Sequence, residues 1–160
     1  MFNITSKADK KYAVTYFSGR LTDDRESTIL NYNVTFLVDI IEEQMRVKLS
    51  RKRDANDEKY SMVVFATPIN SCKIIKGVYA TFFTRMLVEN LFKSINTNYT
   101  CPFKKNSTHV YTDFKITDSF CPPMPIEASF KLEMKMFGRI KERKGWTHTY
   151  DILGFGTFKK

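Results

Sequence analysis

Few residues in this chain are spaced for catalysis or metal binding. The two histidines, His109 and His148, are too far apart in the sequence to supply the clustered ligands that zinc requires. The run from Asp54 to Glu58 offers several carboxylates, but it lacks the glycine and the closing glutamate of a calcium loop. The stretch from Gly154 to Gly156 leaves no room for the helix that phosphate binding needs. We therefore expect no enzymatic activity, no metal and no cofactor.

Four glycosylation patterns indicate a secreted protein instead. The Asn-x-Ser/Thr pattern begins at Asn3, Asn33, Asn98 and Asn106, whereas composition alone predicts roughly one or two such patterns. The chain has no apolar run long enough to span a bilayer, and its first residues lack the apolar core of a signal peptide. We therefore expect the mature form of a secreted, extracellular glycoprotein.

Three cysteines, Cys72, Cys101 and Cys121, suit that compartment. They form no C-x-x-C motif, and the two histidines are too few to complete a zinc site, so a disulfide is the better interpretation. The odd count leaves one thiol over, either buried or paired with something outside the chain. The residues alone leave the pairing open.

The charge of the chain suggests an alternative function. Lysines and arginines number 26 against 17 acidic residues, a net charge of +9, so the surface should attract anions. One basic group runs from Arg46 to Arg53 and another from Arg139 to Lys144, and together they could bind polyanions such as glycosaminoglycan or nucleic acid. Secretion argues against nucleic acid as the partner. Scattered solvated charges with no specific partner are the simpler explanation.

The length of 160 residues fits a single domain over residues 1–160, and most of its apolar pattern is that of strands. Apolar and polar residues alternate in the segments 31–39, 44–50 and 128–136. Further strands are predicted over 60–66, 110–116 and 150–158. Within the first of these, residues 62–65 are apolar on both faces, so we expect a more central strand.

One helix is predicted from Tyr79 to Ile95, because apolar residues recur there at spacings of three and four without any Gly or Pro. The prolines between Cys121 and Pro125 predict an extended connector. Six or seven strands with one helix between them predict a mostly β fold, a two-sheet antiparallel sandwich or cup of immunoglobulin-like type. The helix is expected to cover an open edge or the mouth.

The segment that begins at Asn98 resembles a known family. The run Asn98-Tyr99-Thr100-Cys101-Pro102-Phe103-Lys104 leads through Tyr111 and Phe114 to the proline-bearing connector and the strand from Ala128. This order is similar to that of the C-terminal half of the ML lipid-recognition family, in particular of the ganglioside-activator type. Cys72 followed by the helix and then by Cys101-Pro102 also resembles a related group of secreted insect proteins that includes the chemosensory CheB type. The resemblance covers roughly residues 60 to 158, although the ganglioside activators have more cysteines.

The resemblance implies an apolar cavity between two sheets for a lipid or another hydrophobic small molecule, such as a pheromone or hydrocarbon. The protein would then transport this ligand or present it to a receptor or a lipid hydrolase, and would make at most peripheral contact with membranes. A disulfide between Cys72 and Cys101 is implied as well. The alternative is a dry core, because periodicity shows which face is inside and not whether it is hollow. The residues expected to line the cavity lie on the helix and the long strand: Phe82, Phe83, Met86, Leu87, Phe130, Leu132, Met134 and Met136.

Overall fold

The computed structural model of the protein describes residues 2–21, 28–54, 56–79, 81, 85, 89, 93–95, 99–116 and 128–158. No helix in these ranges is long and apolar enough to cross a membrane. Eight strands and one short helix follow one another along them: β1 Phe2–Ala8, β2 Ala13–Leu21, β3 Thr28–Phe36, β4 Ile40–Arg51, β5 Met62–Asn70, α1 Ser71–Ile75, β6 Thr108–Ile116, β7 Ala128–Ile140 and β8 Thr147–Phe158.

The strands form two antiparallel sheets. Five strands pair in the order β1-β8-β7-β4-β5, and three pair in the order β2-β3-β6. One hydrophobic core contains residues of both sheets, such as Val34 of β3 and Val47 of β4. The predicted mostly β, two-sheet antiparallel sandwich is therefore confirmed, with eight strands in the described ranges instead of six or seven.

The alternating segments are strands with one buried face, as predicted. On β4 the side chains of Met45, Val47 and Leu49 are all buried. The register of β4 with β7 places Met45 opposite Met136 and Leu49 opposite Leu132. Residues at every second position point to the same face of a sheet, so these two central strands present a continuous apolar surface to the interior.

The prediction that residues 62–65 form a central strand is wrong. Strand β5 pairs with β4 alone and is an edge of the five-stranded sheet. Met62 and Val63 are 36% and 50% exposed. A run that is apolar on both faces suggests a strand covered on both sides, but this end of the edge strand β5 is open to solvent.

Strands β1 and β2 were not predicted. On β2 the apolar residues Val14 and Tyr16 lie on the exposed face, at 51% and 63% exposure, while Ala13 is fully buried. Apolar side chains on both faces hide the alternation that marks a half-buried strand.

The helical region is described only in part. Helix α1 directly follows β5, and the Asn70 side chain caps it by accepting a hydrogen bond from the Lys73 N–H at 2.9 Å. Most of the helix predicted from Tyr79 to Ile95 lies outside the described residues. Of its described positions, Arg85, Glu89 and Lys93 are helical, whereas the predicted ends, Tyr79 and Ile95, are not. The predicted connector from Cys121 to Pro125 also lies outside them.

Candidate functional site

A β-bulge at the start of β4 turns an acidic side chain into the core. The register of β4 with β7 shifts between Ile40 and Glu42. As a result Ile40 and Glu43 are both fully buried, while Ile41 between them is 46% exposed. From Glu43 onward the inner face of the strand continues with Met45. The carboxyl of Glu43 thus belongs to the same buried face as the apolar residues of β4.

Three hydroxyl groups surround the Glu43 carboxyl. The Tyr99 hydroxyl donates to Glu43 Oε2 at 3.1 Å, and the Tyr150 hydroxyl donates to Oε1 at 3.4 Å. Ser71, the first residue of α1, hydrogen-bonds to it as well. Burial raises the pKa of Glu43 to about 7, although the three hydrogen bonds act to lower it. The carboxyl is therefore largely neutral in slightly acidic solution.

A disulfide holds two of these partners in place. Cys72 and Cys101 are bonded to each other, with their Cα atoms 5.6 Å apart, and this is the pair that the family resemblance implies. Ser71 is adjacent to Cys72 on α1, and Tyr99 lies two residues before Cys101. The bond therefore joins the two segments that supply hydroxyl groups to Glu43.

The segment after Cys101 is also attached to the sheet. Phe103 N–H donates to the Ile40 carbonyl at 2.8 Å, and Ile40 N–H donates to the Phe103 carbonyl at 2.9 Å. Both side chains are fully buried or nearly so. Tyr99 thus reaches Glu43 from a loop that is bonded to α1 on one side and to β4 on the other.

A cavity of about 100 Å³ lies between the two sheets next to this cluster. Almost all of its wall is aliphatic or aromatic. The five-stranded sheet contributes residues such as Met134 and Ile152, the three-stranded sheet Phe17 and Tyr32, and α1 Ile74. The volume is below the roughly 300 to 1,000 Å³ of usual ligand pockets, and nearer to the roughly 150 Å³ of an apolar cavity that accepts benzene.

Only some of the residues predicted to line the cavity are found in its wall. Leu132, Met134 and Met136 of β7 belong to the cavity wall. Phe130 is buried on the same strand, at 3% exposure, but it is not part of the wall. The four predicted residues on the helix lie outside the described residues: Phe82, Phe83, Met86 and Leu87.

Four tyrosines that the sequence pattern did not indicate as lining residues also belong to the cavity wall, namely Tyr32, Tyr99, Tyr111 and Tyr150. Ring centroids of Tyr32 lie 5.6 Å from Tyr111 and 6.2 Å from Tyr150, so the cluster connects the two sheets. Burial raises the pKa of all four phenols, which therefore stay neutral. The Tyr32 hydroxyl lies near that of Tyr150, but it makes no hydrogen bond of good geometry within the described residues.

His109 is a second buried titratable residue near this cluster. Its ring packs against Tyr99 at 4.8 Å and Phe103 at 5.0 Å between centroids. Neither ring nitrogen has a hydrogen-bond partner among the described residues, and burial lowers the pKa of the imidazole. The ring is thus a neutral packing group. In the described ranges no three His, Cys, Asp or Glu side chains are arranged to hold a metal ion.

The two basic groups do not form one surface. Strands β4 and β7 are antiparallel, with Arg51 opposite Phe130 and Glu42 opposite Arg139. The group that ends at Arg53 and the group that begins at Arg139 therefore lie at opposite ends of the five-stranded sheet. A single polyanion site built from both groups is not supported by this placement.

The glycosylation patterns fall at accessible positions where they are described. Asn3 on β1 is exposed, and Asn33 on β3 is half-buried. Asn106 is exposed in a turn, with φ of 62°. Asn98 lies outside the described residues. The exposed side chains of Asn3 and Asn106 can accept a sugar without unfolding of the core.

Comparison with known proteins gives a family. A family model described as "Protein of unknown function (DUF1091)" matches residues 45–132, just over half of the chain. No curated protein sequence matches the chain. Solved structures that are similar to it include chicken MD-1 complexed with lipid IVa, at 15% identity and a TM-score of 0.42, with 96% of this chain and 88% of that chain covered. The chain belongs to the DUF1091 family.

Proposed function

We propose that this protein binds a lipid or another hydrophobic small molecule in the cavity between its two sheets. It acts as a secreted carrier or presenting protein and performs no catalysis. The observation that carries the proposal is the cavity itself, which is lined almost entirely by apolar and aromatic side chains from both sheets and α1. The resemblance of the segment around Cys101 to the ML lipid-recognition family supports the same function.

The wall sets the chemistry of the ligand. Transfer of apolar surface from water contributes about 0.8 kcal/mol per buried CH₂, and a micromolar complex requires about 8 kcal/mol after association costs. The cavity of about 100 Å³ has room for only part of a hydrocarbon chain long enough to reach this affinity. The sheets must therefore separate further, or side chains must move, when a complete ligand enters.

Methionine side chains provide one means of adjustment. Met45, Met134 and Met136 all line the cavity, and Met45 lies opposite Met136 in the register of β4 and β7. Unbranched thioether side chains change conformation at low cost and tolerate ligands of different shapes. The same cavity therefore suits an elongated apolar molecule such as a pheromone or hydrocarbon. The protein would transport this molecule or present it to a receptor or a lipid hydrolase.

Displacement of a fluorescent fatty acid tests the proposal. Leu132→Trp adds bulk to the wall, so affinity for the probe should fall at least tenfold while the protein stays folded, because a cavity absorbs a ring that a close-packed core cannot. Leu153→Trp is the matched control, since Leu153 is half-buried on the neighbouring strand β8 but does not line the cavity. This control should bind the probe like the parent protein.

Two results would contradict the proposed function. If the parent protein shows no saturable uptake of the probe, the cavity does not serve a ligand. If Leu132→Trp instead lowers the free energy of unfolding by the roughly 1 to 3 kcal/mol expected of an overpacked core, the interior is close-packed. Met134→Trp repeats the test at a second position of the wall.

A further inference from the structure

The Glu43 carboxyl lies directly behind the wall of the cavity. Its three hydrogen-bond partners, Ser71, Tyr99 and Tyr150, all belong to that wall. Glu43 itself is fully buried and is not part of the wall. A ligand that fills the cavity therefore touches the groups that hydrogen-bond to this carboxyl.

The surroundings of the carboxyl supply hydroxyl groups but no positive charge. The carboxyl is contacted by Ser71 of α1, Tyr99 of the loop before Cys101 and Tyr150 of β8. The phenols of Tyr32 and Tyr111 on the other sheet are close enough for an electrostatic interaction with its charge. Among the described residues no Lys, Arg or His forms an ion pair with it. An ionised Glu43 would thus depend on these hydroxyls and on any water that reaches the cluster.

We propose that Glu43 is a positioning residue that couples ligand binding to a proton: the protein takes up its apolar ligand with the Glu43 carboxyl neutral, and ionisation of that carboxyl opposes binding. The inference rests on the proposed function. A hydrocarbon in the cavity excludes water from the wall, and this raises the free energy of the ionised form more than that of the neutral form. By linkage, ionisation must weaken ligand binding by the same factor.

The same geometry restricts the ligand class. The part of the ligand inside the cavity must be uncharged, because the described part of the wall contains no Lys, Arg or His that could neutralise an acidic head group. A charged head group therefore stays outside the cavity. Burial raises the pKa of Glu43 to about 7 in the protein without ligand, so the coupling acts near neutral pH.

The test uses N-phenyl-1-naphthylamine, an uncharged fluorescent apolar probe, across the range from about pH 5.5 to about pH 8.5. Affinity of the parent protein should fall as pH rises above about 7, by up to about tenfold per pH unit, until the complex itself ionises. Glu43→Gln should bind the probe equally at every pH. Calorimetry in two buffers of different ionisation enthalpy should show proton uptake on binding near pH 7.5 in the parent protein, and none in Glu43→Gln.

Glu42→Gln is the matched control. A hydrogen bond from Asn70, together with Arg139, lowers the pKa of Glu42, so this neighbour does not change charge in the range tested. Its variant should keep the pH dependence of the parent protein. Tyr99→Phe gives an independent readout if Glu43→Gln does not fold, because loss of a hydrogen bond to the carboxylate should move the affinity change to higher pH.

Two outcomes overturn the inference, and they are distinguishable. The role of Glu43 is ruled out if binding is saturable but independent of pH. It is also ruled out if the pH dependence persists in Glu43→Gln and does not shift in Tyr99→Phe. Either result leaves the proposed function intact. Failure of the probe to bind at any pH removes both the coupling and the proposed function.

Discussion

Replacing Glu43 with glutamine should change the way in which the stability of the ligand-free protein depends on pH. Burial raises the pKa of this carboxyl from 4.5 to about 7. Between these two values the folded protein keeps the proton and the unfolded chain has released it. The free energy of unfolding therefore decreases as pH rises from about 4.5 to about 7, and the full loss remains above about 7.

The magnitude follows from the difference between the two pKa values, which corresponds to a loss of about 3 kcal/mol. In a domain of this size such a loss lowers Tm by roughly 6 to 12 °C. Glutamine has nearly the same shape, keeps an acceptor for the Tyr99 hydroxyl and does not titrate. The variant should thus be free of this loss, although its amide N–H₂ group costs a further amount that is independent of pH.

The assay is urea unfolding of parent protein and Glu43→Gln from about pH 4.5 to about pH 8, read as the difference in the free energy of unfolding. Titrations elsewhere in the chain cancel in that difference. The variant should gain about 3 kcal/mol relative to the parent over this range. A difference that stays constant with pH would refute the reasoning, since the carboxyl would then titrate as an exposed group does.

Three further predictions use other parts of the site. Replacing both Cys72 and Cys101 with serine should cost about 3 to 4 kcal/mol of stability in the chain-entropy model, measured by urea unfolding, because the bond closes a loop with a sequence separation of 29. Burial lowers the pKa of His109, so its imidazole should contribute a loss of stability as pH falls below 6.5, opposite in sign to the Glu43 effect; His109→Phe should therefore be more stable relative to the parent at about pH 5 than at about pH 7.5 in thermal melts. Secreted material from the protein's own cells should lose mass on glycosidase treatment, with sugars on at least two of the four predicted asparagines: Asn3, Asn33, Asn98 and Asn106.

The sequence predicts strands well where one face is buried and the other is solvated. Tyr32, Val34 and Phe36 on β3 are all buried, as their spacing of two residues predicts. The pattern is misleading at β5, because the hydrophobicity of a side chain does not show whether a second layer of residues covers it. Met62 and Val63 are apolar and exposed, and only the strand order shows that β5 is an edge.

The cavity is predictable in part. The alternation of β7 places Leu132, Met134 and Phe130 on one inner face, and the first two reach the cavity wall. Phe130 lies on the same face nearer the start of the strand, opposite Arg51 at the end of β4, and it is buried elsewhere in the interior. Periodicity therefore identifies the inner face, but the position of a hollow along that face depends on how the two sheets meet.

The sequence also contains a signal for Glu43 that the strand boundaries concealed. The predicted strand begins at Gln44, whereas β4 begins at Ile40. Extending the alternation of Met45 and Val47 back by one step places Glu43 on the inner face, where an acidic residue requires polar partners. Those partners cannot be read from local sequence, because Tyr99 and Tyr150 lie 56 and 107 residues away. The strand order brings Tyr150 of β8 to the carboxyl on β4, and the loop that ends at the Cys72–Cys101 bond brings Tyr99, so the hydroxyl groups around Glu43 come together only through contacts between distant parts of the chain.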